Sequence, residues 1–305
     1  MDRFSVYVPR LLPQDERFLT GRRSCKGCGK ALSARIASKA AGTAVLSEEV
    51  IKVRYPEAAS FCAQGYAHDD VTTESMLEKF LVCIDHINAS AAKNTRTHHR
   101  VIKKAVIGIN RQVFMSDYLA LTRIFQNHRQ ALYICFDNEP YMDSLIRKTS
   151  PQEFVLAEHV SPVSDRDIAR VIQEKQIPAV VGEADFPYMA TACPSFTSDL
   201  IVKVRKGLES PGNAFILVLT PCPTSWVFAP ENTIKVGLKA VQTGYFPLYE
   251  IEHGTHRVTQ RVKKRPPVQE YLMMQKRFFT FPPELIPSVQ SAVDTFYDGL
   301  VHTDI

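Results

Sequence analysis

The sequence predicts a doubly wound, mainly parallel α/β sheet, and three observations carry that expectation. Of the 305 residues, 45% are hydrophobic, ample for a sizeable core. The run ALYICF, Ala131 to Phe136, is short, unbroken and apolar, as in a parallel strand covered on both faces. Strand-like runs alternate with helical stretches along the chain, the order that βαβ units require.

The elements follow in order. Residues 1–24 are basic and contain proline, without periodicity, and read as an extended arm. Ser24 to Lys30, SCKGCGK, leads into ALSARIASKAAG, a small-residue helix stopped by Gly42. Residues 71–92 make an amphipathic helix with Met76, Phe80, Ile84 and Ile87 as its apolar stripe. Lys93 to Lys104 is a solvated basic loop, since it holds no aromatic to stack a base. Ala105 to Asn110 is a strand and turn, followed by a helix from Val113 to Asn127 with Phe114, Tyr118, Leu121, Ile124 and Phe125 inward. After the 131–136 strand come a lid-like segment from Ser150 to Asp165, a helix from Asp165 to Gln176 and a strand from Ile177 to Val181. A helix from Phe196 to Leu208, a strand from Asn213 to Leu219, a solvated linker from Arg257 to Pro267 and a closing helix from Glu284 to Leu300 complete the chain.

Composition narrows the function. A formal charge of +5 is too mild to imply nucleic acid. No apolar run could span a bilayer, and MDRFSVYVPR lacks a signal-peptide h-region, so a cytoplasmic location is expected. Seven scattered cysteines suit reduced thiols or metal ligands better than a disulfide framework.

Two stretches carry candidate chemistry. Ligands of open α/β sheets bind beyond the carboxyl ends of strands. Asp137, Asn138, Glu139, Pro140 and Asp143 fall there, and suit either a metal or phosphate loop or an ordinary acidic turn. Cys25 and Cys28 form a C-x-x-C at a helix start, whose spacing fits zinc, iron–sulfur or redox use alike.

The string YICFDNEPYMD resembles the YICYDNEAYMNTG-like loop of the beta subunits of 2-oxoacid:ferredoxin oxidoreductases, the pyruvate enzyme in particular. RSCKGCGKAL is similar to that family's RACAGCGAAL-like start, and PCPTSW, Pro221 to Trp226, to its CPTGW-like motif. FPYMATA, from Phe186, and the closing VGLKAVQTGYFPLYEIE and VQEYLMMQKRF extend the resemblance over nearly the whole chain.

The resemblance implies a thiamine-pyrophosphate-binding α/β domain over residues 25–220. It adds a C-terminal subdomain and partner-embracing arm over 221–305, beside the 1–24 arm. It implies oxidative decarboxylation of a 2-oxoacid with coenzyme A, with alpha-, gamma- and delta-type subunits as partners and ferredoxin as electron acceptor. Thiamine pyrophosphate and magnesium would meet Gly108, Asn110, Asp137, Asn138, Pro140 and Asp143, and a 4Fe–4S cluster would use Cys25, Cys28 and Cys222.

The sequence departs from the family at both cofactors. Ile109 stands where the family's GDG motif has its magnesium-ligating aspartate, and Asn110 and Leu145 replace glycines at the pyrophosphate. Ser47 stands where the remaining cluster cysteine is expected, with Cys62 outside the motif. The reading is therefore a beta-type subunit with impaired or lost magnesium and pyrophosphate binding. The alternative is a non-catalytic structural or regulatory paralogue, with zinc or an altered cluster as a staple.

Overall fold

The computed structural model describes residues 24–41, 104–116, 122, 125, 131–149, 163–176, 181 and 186–304. Its centre is a six-stranded sheet in the order β1-β2-β4-β3-β5-β6. The strands are β1 (Ala105–Asn110), β2 (Ala131–Asp137), β3 (Tyr188–Ala192), β4 (Ala214–Leu219), β5 (Tyr249–Glu252) and β6 (Thr255–Val258). The first four run parallel, and β5 and β6 add an antiparallel edge.

The helices are α1 (Gly29–Ala41), α2 (Arg111–Ser116), α3 (Met142–Thr149), α4 (Asp165–Gln173), α5 (Thr197–Glu209), α6 (Pro223–Trp226), α7 (Thr233–Gln242), α8 (Gln269–Leu272) and α9 (Ile286–His302). Every residue of β2 and β4 is buried, as their unbroken apolar sequence demands. The pleat sends alternate side chains to opposite faces. Tyr133, Cys135, Phe215 and Leu217 join one core with α4, α7 and α9. Leu132, Ile134, Ile216 and Val218 join the other, under α1 and α5.

Helix α4 begins where Ser164 caps it, in a reciprocal capping box with Asp167. Helix α1 is set by two close approaches. A Cβ on Gly29 would stand 2.5 Å from the Pro221 carbonyl oxygen, and Gly27, at φ +68°, would meet the Pro230 carbonyl at 2.4 Å. The glycines of CKGCG thus let this segment lie against the chain that follows β4, where the Gly29 N–H donates to Pro221 O at 3.1 Å.

Several expectations need correction or lie outside the described residues. Val181, expected in a strand, is helical. The segment 257–267, expected as solvated linker, is tied down instead. Arg257 lies in β6 and pairs with Glu250, Arg261 pairs with Asp304, and Arg265 pairs with Asp294 and Asp298. Carboxylates on β5, on α9 and just past it capture these arginines. The 1–24 arm except Ser24, the 71–92 helix, Ser47 and Cys62 lie outside the described residues, as do most of the 93–104 loop and the 150–165 segment. Among the described residues no helix is long and apolar enough to cross a membrane.

Candidate functional site

A cavity of about 480 Å³ opens beyond the carboxyl ends of β1, β2 and β4. Asn110 ends β1, Gln112 lies in the first turn of α2, and Phe136 and Asn138 come from the end of β2 and its turn. Thr220, Pro221 and Cys222 follow β4, and Cys28 and Lys30 come from the start of α1. Of the expected site residues, Cys28, Asn110, Asn138 and Cys222 are therefore brought to one place. Cys25 lines a different, open cavity, which Cys28 also borders.

The other expected residues have different surroundings. Gly108 lies beside the Phe136 ring, which a Cβ would approach to 2.9 Å. Ile109 points to the opposite face of the sheet, 5% exposed within the larger core. Asp143 is half-buried in the first turn of α3, after Pro140 in the turn, and Leu145 is buried in the core. Neither Asp143 nor Pro140 forms part of the cavity wall.

Asp137 and Glu139 are fully buried and face inward. Asp137 Oδ1 accepts from the Glu139 N–H at 2.7 Å, and its Oδ2 accepts from the Tyr141 hydroxyl at 3.0 Å. Its carbonyl accepts from the Thr220 N–H at 2.7 Å, which joins the β2 turn to the end of β4. Glu139 sits at φ 55° and reaches a pocket made by distant parts of the chain. Arg277 donates to Glu139 Oε2, as does the Tyr271 hydroxyl at 3.4 Å. Lys175 Nζ lies 3.3 Å from Glu139 Oε1, an ion pair without hydrogen-bond geometry, and 4.1 Å from the centre of the Tyr245 ring. Arg277 stacks 4.2 Å from the Trp226 ring, and Trp226 Nε1–H donates to the Asn138 carbonyl at 2.9 Å. The tryptophan of PCPTSW thereby fixes the backbone of the turn that presents Asn138.

Electrostatics separates the two carboxylates. Burial pushes Asp137 up to about 6, with Arg111 pulling down, Glu139 pushing further up and Lys175 pulling down. Burial also works against Glu139, but Lys175 and Arg277 outweigh it and hold the carboxyl below its usual range. The folded chain thus keeps the Asp137 proton to higher pH than the unfolded chain does. Stability should fall as pH rises from about 4 to 6, by about 3 kcal/mol. The Glu139 contribution has the opposite sign and is lost as pH falls below about 4. Urea titrations of Asp137→Asn should show the first slope flattened and the acid decline retained; an unchanged slope would assign it elsewhere.

Sequence reasoning missed Lys175, which carries no local motif, and assigned no role to Tyr245, Tyr271 and Arg277, which lie in the family-like stretches VGLKAVQTGYFPLYEIE and VQEYLMMQKRF, or to Thr220, which adjoins PCPTSW. Among the described residues, no three His, Cys, Asp or Glu side chains gather as a metal site.

No family model matches the chain. It is 34% identical to the pyruvate synthase subunit PorB of Methanocaldococcus jannaschii over 290 residues, 92% of this chain and 95% of that relative. It is 32% identical to PorB of Methanothermobacter thermautotrophicus, over 93% and 97% of the two chains. It is 29% identical to the ketoisovalerate oxidoreductase subunit VorB of Pyrococcus abyssi, over 88% and 86%. The mostly parallel sheet, with a crevice at its carboxyl edge, has the thiamine-pyrophosphate-binding type of α/β fold. The chain belongs to the beta-subunit family of 2-oxoacid:ferredoxin oxidoreductases.

Proposed function

We propose that this beta-type subunit keeps the fold and interfaces of a pyruvate-like 2-oxoacid:ferredoxin oxidoreductase but has lost magnesium thiamine pyrophosphate. It then acts as a structural or regulatory member, alongside alpha-, gamma- and delta-type subunits that deliver electrons to ferredoxin. One observation carries the reading: no carboxylate stands in the wall of the cavity among the described residues. Ile109 faces the core, and Asp137 and Glu139 are consumed by internal partners. Magnesium takes hard oxygen ligands and usually one or two carboxylates beside the phosphates. Asn110 and Asn138 supply neutral oxygens only. The residues present do not fit the magnesium complex.

The iron–sulfur cluster fits no better. Cys28 and Cys222 share the cavity, Cys25 borders another, and the fourth family position is Ser47. Cys28 Sγ accepts from the Ala31 N–H and Cys222 Sγ from the Ser225 N–H, so both thiols serve as helix caps.

The test is cofactor content of the complex purified anaerobically with its partners. Thiamine, magnesium, iron, zinc and sulfide are each measured and assigned by subunit. No thiamine on this chain is the expected result. About one thiamine pyrophosphate and about four irons per copy of this chain would overturn the reading.

A further inference from the structure

We propose that Cys25 and Cys28 form a reversible intramolecular disulfide by exchange with small-molecule disulfides. The proposal rests on the reading that no iron–sulfur cluster occupies these thiols.

The turn that joins them is the starting point. The Cys28 N–H donates to the Cys25 carbonyl at 3.2 Å, across Lys26 and Gly27. A β-turn brings its first and fourth Cα atoms within about 7 Å, and a disulfide spans about 4.4–6.8 Å between Cα atoms. The turn is braced from outside. The Thr233 hydroxyl donates to the Gly27 carbonyl at 2.6 Å, and the Gly29 N–H donates to the Pro221 carbonyl at 3.1 Å. The fold has already ordered this segment, so closing the ring costs little further entropy.

The two thiols have different access. Cys25 is the exposed thiol among the described cysteines, whereas Cys28 is half-buried, its Sγ accepting from the Ala31 N–H at 3.5 Å. Cys135 and Cys193 are fully buried, and burial pushes both thiols up. Cys25 and Cys28 both border an open cavity of about 500 Å³, room enough for a small-molecule disulfide to approach.

The exchange has two steps. The Cys25 thiolate attacks one sulfur of a small disulfide. That S–S bond breaks, a mixed disulfide forms on Cys25, and the first small thiol leaves with one proton. The Cys28 thiolate then attacks the Cys25 sulfur and expels the second small thiol with the other proton. Two electrons pass from the protein thiols to the small disulfide. In the closed form neither sulfur can serve as a thiolate metal ligand.

The test takes the complex purified anaerobically with its partners, with iron measured per copy of this chain. The complex is equilibrated with reduced and oxidised glutathione at stepped ratios, alkylated and digested with trypsin. Cleavage after Lys26 parts the two cysteines, so their disulfide is read as Ser24–Lys26 joined to Gly27–Lys30. The joined pair is expected in oxidised glutathione, and its loss on return to reduced glutathione. Cys28→Ser should stop at about one glutathione per chain, held on Cys25. Serine is a good N-cap, so this variant should melt like wild type. Cys25→Ser should react about tenfold more slowly or worse, because the exposed sulfur is gone. Full alkylation of both cysteines after oxidised glutathione, or a disulfide from either to another cysteine or subunit, overturns the proposal. An iron-free chain that stays reduced overturns this proposal alone and leaves the loss of the cluster standing. About four irons per chain overturn both.

Discussion

Asn110→Asp gives the cavity magnesium affinity, whereas Ile109→Asp destabilises the protein and gives none. The family motif puts its ligating aspartate at position 109, so restoring the motif is the obvious repair. The pleat opposes it. Ile109 pairs in register with Cys135, and both side chains face the larger core. A carboxylate there would be buried without a partner, at a cost of about 3 kcal/mol or more. Asn110 pairs in register with Phe136, and both line the cavity. A carboxylate at 110 would stand in the wall with the Asn138 carboxamide and improve magnesium binding by roughly tenfold. Urea denaturation and magnesium titration of the two variants decide. Unchanged stability and tight magnesium in Ile109→Asp would mean that residue 109, not 110, faces the cavity.

Arg277→Met should cost about 3–5 kcal/mol, the largest single-residue loss expected at this site. It breaks a buried pair and leaves the Glu139 carboxylate with the long Tyr271 hydroxyl bond and with Lys175, whose contact lacks hydrogen-bond geometry. It also removes the cation stacked on Trp226, the residue that anchors the Asn138 carbonyl. A double-mutant cycle separates the terms. Glu139→Gln added to Arg277→Met should restore part of the loss, because the stranded charge is gone. Simple additivity in chemical denaturation would show that the two side chains do not depend on each other.

Much of the fold was legible because its signals are local. The 131–136 run is continuous and apolar, and became a strand buried on both faces. The small-residue stretch became α1, which starts at Gly29 within CKGCGK and ends at Ala41, just before Gly42. The stretch 196–208 gave α5, at Thr197–Glu209, and Asn213 to Leu219 gave β4, at Ala214–Leu219. The candidate site was legible in part. Cys28, Asn110, Asn138 and Cys222 meet at one cavity, because chain segments known to be strand ends and helix starts must converge at the carboxyl edge of a parallel sheet.

The sequence by itself determined the strands β1, β2 and β4, the helices α1, α4, α5 and α9 to within a few residues, the family, and the absence of an aspartate at the β1 turn. Hydrophobic period and short motifs are encoded within a dozen residues, so they need no partner to be read. Only the tertiary structure decided which face of β1 meets the cavity, since alternation gives two faces but not their neighbours. It also decided that Asp137 and Glu139 serve the interior. Glu139 reaches Arg277 and Lys175 from other parts of the chain, and such a pair exists only once packing has excluded water from all three.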